Sequence, residues 1–79
     1  MNNQEKLLEA FSEALGVNSN IITNEMKYND ISQWDSVANM SLIAEIEEVF
    51  DIMIDSEDVI KMNSVREIKE ILTKYDINF

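Results

Sequence analysis

The sequence predicts an all-α fold, a small four-helix bundle with three longer helices and one short one. Three observations carry this. The chain of 79 residues has one glycine and no proline, which suits helices and not a turn-rich β-sandwich. Apolar residues recur at spacings of three and four in three separate segments. Each helical segment follows a residue able to cap a helix. The length fits one domain over residues 1–79. There is no internal repeat, low-complexity stretch or linker.

The first helix is expected from Asn3 to about Leu15. Leu7, Leu8, Phe11, Ala14 and Leu15 share one face, and Glu5, Glu9 and Glu13 lie on another. Asn2 and Glu5 resemble a capping pair. Gly16, the only glycine, stands where a left-handed C-cap belongs. Residues 17–35 form a long connection, with Val17, Ile21, Ile22, Met26, Tyr28 and Ile31 pinning it over the core. A short helical turn is expected near residues 24–28.

The second helix is expected from Ser36 to about Phe50, capped by Asp35. Its apolar face reads Val37, Met40, Ile43, Ile46 and Phe50, widened by Leu42 and Val49. A short third helix covers residues 56–61, with Asp55 as cap and Glu57 and Asp58 in its first turn. The last helix covers residues 65–75, with Ser64 and Glu67 as a capping box and Val65, Ile68, Ile71 and Leu72 as its apolar face. Such amphipathic helices bury their stripes against one another.

Composition excludes several kinds of chemistry. With no cysteine and no histidine, the chain builds no disulfide, thiolate zinc site or Ser-His-Asp triad. No catalytic residue is assigned, and no metal site. Calcium loops starting at Asp51 or Asp30 both fail, because Ser56 or Asp35 takes the glycine position and Met62 or Ser41 ends the loop. Sixteen acids against six bases give a net charge of -10, which disfavours nucleic acid. Nine acids and no base lie in residues 30–58: Asp30, Asp35, Glu45, Glu47, Glu48, Asp51, Asp55, Glu57 and Asp58. A one-sign field keeps a protein soluble and steers basic partners. No apolar run is long enough for a membrane span, and nothing at the start reads as a signal peptide. A monomeric, cytoplasmic protein is expected.

Ser36 combines three features. It lies in the first turn of an amphipathic helix, follows an acid, and heads the acidic half of the chain. First-turn amides lack partners within the helix and the dipole there is positive, so a phosphate ester on Ser36 is favourably placed. The plainer reading is a helix cap and nothing more.

The wider pattern resembles the acyl carrier protein family over almost the whole chain. The family's Asp-Ser-Leu attachment motif reads Asp35-Ser36-Val37, and its Glu-Glu-x-Phe helix end reads Glu47-Glu48-Val49-Phe50. Leu15-Gly16-Val17, the acidic stretch of residues 55–58, and Ser64-Val65 match as well. The resemblance implies a four-helix, acyl-carrier-like bundle that is not itself an enzyme. A separate phosphopantetheinyl transferase would move 4′-phosphopantetheine from coenzyme A onto Ser36, with Mg²⁺. Asp35 would serve transferase recognition. The arm's thiol would hold an acyl group as a thioester. Val37, Met40, Glu45, Glu47 and Glu48 would meet partner enzymes: acyl-loading ligases or synthases, and acyltransferases with basic docking patches.

The departures also inform. Fatty-acid carriers have acids two and five residues after the serine, where this chain has Ala38 and Ser41. They favour a small residue where Trp34 stands. This Trp-Asp-Ser form looks like carriers dedicated to polysaccharide modification, D-alanyl-type transfer or secondary metabolism. Trp34 itself is read as an aromatic pinning the long connection to the bundle. Met40 and Met62, with Ile43 and Ile46, are read as core packing in preference to a cargo-lined cavity. The competing reading is an acidic helical adaptor, or a degenerate carrier, that binds a partner without the arm.

Overall fold

The computed structural model describes residues 2–79; Met1, read as the initiator, lies outside them. Four α-helices follow in order: α1 (Asn3–Leu15), α2 (Ser36–Phe50), α3 (Ser56–Val59) and α4 (Val65–Thr73). Three are long and one is short, and no strand forms among the described residues, so the expected all-α bundle is what the chain builds.

Local chemistry sets the ends of α1. The Asn2 side chain accepts from the Glu5 amide while the Glu5 side chain accepts from the Asn2 amide, a complete capping box. Gly16 closes the helix at φ 66°, the left-handed region where a Cβ is penalised. Leu7, Ala10, Phe11 and Leu15 are buried, with Leu8 and Ala14 half-buried beside them.

The connection from α1 to α2 differs from expectation. Its helical turn is a 3₁₀ turn at Ser19–Ile21, capped by the Asn18 side chain, and not near residues 24–28. Residues 24–28 are instead drawn against the start of α4. The Met26 and Asn24 carbonyls accept from the Val65 and Arg66 amides, and Tyr28 donates to the Asn63 carbonyl. This satisfies the first-turn amides of α4, the third (Glu67) being held by the Ser64 hydroxyl at 3.0 Å. The reciprocal bond expected from the Glu67 side chain is not formed, so the capping box is half made.

In α2 the apolar face is rotated from the predicted one. Leu42 and Ile46 are fully buried, whereas Val37 and Met40 are exposed at 73% and 75%. Ile43, Val49 and Phe50 are half-buried. With so many apolar positions, α2 has several possible core-facing stripes, and packing against α1 selects Leu42 and Ile46. Met40 therefore lines no interior cavity, while Met62 is fully buried. Asp51 ends α2 at φ 54°, a left-handed cap made by a non-glycine residue.

Both later helices are shorter than expected, α3 ending at Val59 and α4 at Thr73. Asp55 precedes α3, but its side chain makes no cap bond. Asp58 does not serve the dipole in open solvent. It is buried, and its Oδ1 accepts from Lys74 Nζ at 2.8 Å while its Oδ2 accepts from the Tyr75 hydroxyl at 2.7 Å. The same hydroxyl accepts from the Asp55 amide at 3.0 Å. These bonds latch α3 to the end of α4.

Phe11 is fully buried and Phe50 only half-buried, stacked edge-on to Phe79 at 6.3 Å. Phe11→Ala is expected to cost about 3–5 kcal/mol in denaturant unfolding, and Phe50→Ala less. The Lys74 ammonium, then the Tyr75 hydroxyl, holds the Asp58 carboxyl below the usual carboxylate range. Asp58 in turn raises the Lys74 and Tyr75 values. The Asp58 contribution is complete above the unfolded value of about 3.9 and lost as pH falls through its lower folded value. The Lys74 and Tyr75 contributions are present below about pH 10 and lost as pH rises through their raised values. The difference in unfolding midpoint between wild type and Asp58→Asn should be level from about pH 5 to pH 9 and shrink at both ends.

Candidate functional site

Asp35 caps the start of α2. Asp35 has extended backbone (φ -103°, ψ -174°), and its Oδ1 accepts from the Ala38 amide at 2.8 Å. Its carbonyl accepts the first helical bond, from the Asn39 amide, at 2.8 Å. The cap predicted from sequence is therefore in place. Ser36 follows in the first turn, exposed, with its hydroxyl free of any protein hydrogen bond among the described residues. The Ser36 and Val37 amides also have no protein partner there, unlike those at the start of α4.

Trp34 supports this start from below. It is fully buried, edge-on to Phe11 at 5.4 Å and to Tyr28 at 6.5 Å. Its amide donates to the Ile31 carbonyl, and its carbonyl accepts from the Asn29 amide. The indole Nε1 donates to Asn39 Oδ1 at 2.9 Å. The tryptophan thus pins the connection to the bundle, as the sequence suggested.

Beyond Ser36, α2 presents one outward face. Val37, Met40, Ser41, Ala44 and Glu48 are exposed at spacings of three and four. The half of this face nearest Ser36 carries no charge. Glu45 is half-buried. Glu47 is half-buried, and its Oε2 accepts from the Ile54 amide at 3.0 Å, tying the α2–α3 loop. Ile60 is a further large exposed apolar side chain that sequence reading did not single out. Position alone gave no signal for it.

Two surface grooves, of about 290 and 440 Å³, lie elsewhere, along α1 (Glu5, Leu8, Glu9, Ser12) and along α4 (Arg66, Lys69, Glu70, Thr73). Residues of α2 line neither. Ser36 is exposed and lines neither groove.

Residues 5–72 match the family model described as the phosphopantetheine attachment site. The chain belongs to the acyl carrier protein family. Its prosthetic group is covalently attached 4′-phosphopantetheine. The chain is 34% identical over 71 residues to the acyl carrier protein of Syntrophobacter fumaroxidans, covering 90% of this chain and 88% of that one. Against the acyl carrier protein of Chlorobium phaeobacteroides it is 32% identical over 71 residues, covering 90% and 91%. The carrier's residues fit such a group: an exposed hydroxyl stands at a positive helix end with two amides open beside it. No helix is long and apolar enough to cross a membrane among the described residues.

Asp35→Ala is expected to lower stability by about 1 kcal/mol through loss of the cap, and Asp35→Asn by only a few tenths. Urea denaturation of the three proteins, at fixed pH, measures this.

Proposed function

We propose that Ser36 is the attachment residue, and that this carrier serves a dedicated pathway outside housekeeping fatty acid synthesis. The observation carrying the first part is the exposed Ser36 hydroxyl in the first turn of α2, directly after the Asp35 cap. In the reaction, Ser36 Oγ attacks the pantetheine-side phosphorus of coenzyme A. The Oγ–P bond forms, the P–O bond to adenosine 3′,5′-bisphosphate breaks, and the hydroxyl proton passes to a base on the transferase. The base must come from the transferase, since the chain has no histidine and no acid is bonded to Ser36. Asp35 has one oxygen engaged in the cap, which leaves the other available to the transferase and its metal. Once bound, the arm supplies the thiol that the cysteine-free chain lacks and holds acyl groups as thioesters.

The pathway reading rests on the outward face of α2. A partner docking there meets Val37 and Met40 beside the serine and neutral Ala38 and Ser41 where fatty-acid carriers place acids. The exposed acid, Glu48, lies twelve residues on, about 18 Å along the helix. Its partners therefore carry an apolar spot close to their catalytic entrance and basic groups farther out. Such partners are the loading ligase and the acyltransferases of polysaccharide modification, D-alanyl-type transfer or secondary metabolism. Glu47, engaged with the Ile54 amide, contributes to docking only through its remaining oxygen.

The test is intact-protein mass spectrometry after incubation with coenzyme A, Mg²⁺ and a broad-specificity phosphopantetheinyl transferase. Wild type is expected to gain one phosphopantetheine. Ser36→Ala is expected to gain none while keeping its helical circular dichroism. A modified Ser36→Ala protein would sink the assignment. An unmodified wild type, with its cognate transferase also tried, would favour an adaptor that binds its partner without the arm.

A further inference from the structure

We infer that Trp34 and Asn39 form a clamp that positions Ser36 for modification, with Asn39 acting through Trp34 and Asp35 and touching no substrate itself. The inference rests on Ser36 being the acceptor. Asn39 holds the two residues that precede the serine. Its amide donates to the Asp35 carbonyl at 2.8 Å, and its side-chain oxygen accepts from Trp34 Nε1 at 2.9 Å. A third bond runs from the Ala38 amide to Asp35 Oδ1 at 2.8 Å. Ser36 therefore sits inside a loop of backbone closed by three hydrogen bonds, with its own hydroxyl left out of all of them.

The chemistry of each partner makes the arrangement specific. An indole N–H only donates, so it fixes which end of the Asn39 amide faces it. Trp34 is fully buried, and its N–H without a partner would be costly. Asparagine is a poor residue for a helix interior, and no partner other than Trp34 explains its side chain at this position. The ring cannot shift, because Phe11 and Tyr28 pack edge-on against it. The core of the bundle thereby sets the height and direction at which the serine leaves the surface. Positioning of a reacting group is worth large rate factors.

The clamp predicts a division between binding and turnover. The docking face beyond Ser36 is untouched by the clamp, so loss of the clamp should lower kcat and leave KM alone. Transferase kinetics would be measured with coenzyme A, Mg²⁺ and apo carrier as the varied substrate. Asn39→Ala is expected to lower kcat about five-fold, the worth of one hydrogen bond, with KM within two-fold of wild type. Asn39→Asp, which keeps the acceptor oxygen, should recover most of the wild-type kcat. Trp34→Phe, which keeps a ring and loses the N–H, should lower kcat as Asn39→Ala does. The double variant should be no worse than either alone. Wild-type kcat in Asn39→Ala, a loss carried wholly by KM, or additive losses in the double variant would overturn the clamp. A wild type that stays unmodified, or a Ser36→Ala protein that is modified, would overturn the acceptor reading and the clamp with it.

Discussion

Burial of Trp34 is the constraint on which the rest of the site depends. The connection before α2 is long for so small a bundle and lacks regular structure over most of its length. Ordering such a chain costs roughly 1–2 kcal/mol per residue in backbone entropy. Placing one large ring between Phe11 and Tyr28 recovers apolar burial at a single point. The ring's polar edge must then find a partner, and Asn39 provides it. One side chain thus joins α1, the connection and the second turn of α2. The serine between them inherits a fixed setting without its hydroxyl making any bond of its own.

The remainder of the surface divides by task. Acids are absent from the outward face of α2 next to Ser36 and return at Glu48. Acids that look similar in sequence are used differently in space. Asp35 caps a helix, Glu47 ties a loop, Asp58 latches α3 to Lys74 and Tyr75, and Glu48 faces outward. The net charge of -10 therefore overstates the charge displayed on the outward face of α2 beside Ser36.

What could be read from sequence was what is local. The Asn2–Glu5 box, the Gly16 cap, the Asp35 cap and the Ser64 cap each depend on residues within four positions, and each was legible. The serine was legible for the same reason, as a feature of a helix start. The facing of α2 was not, because Val37, Met40, Ile43, Ile46, Phe50, Leu42 and Val49 allow several stripes and only contact with α1 chooses among them. Nor was the role of Asp58, whose partners lie sixteen and seventeen residues away. The 3₁₀ turn moved from its expected place because residues 24–28 are needed as acceptors for the α4 amides, a demand from the far end of the chain. The Trp34–Asn39 bond spans only five residues, yet sequence showed only that an aromatic pinned the loop. Nothing in the pattern revealed which side chain would meet its N–H.

The uncharged stretch on the outward face of α2 also governs how encounters end. Exposed acids set back from Ser36 act at a distance, raising the rate of meeting a basic partner, and salt screens that effect. In the docking proposed above, Val37 and Met40 act only in contact and are too few to hold a partner for long. Arrival and departure are thus set by different side chains. A shuttle that must visit one enzyme to be charged and another to be discharged can then be captured quickly without being retained.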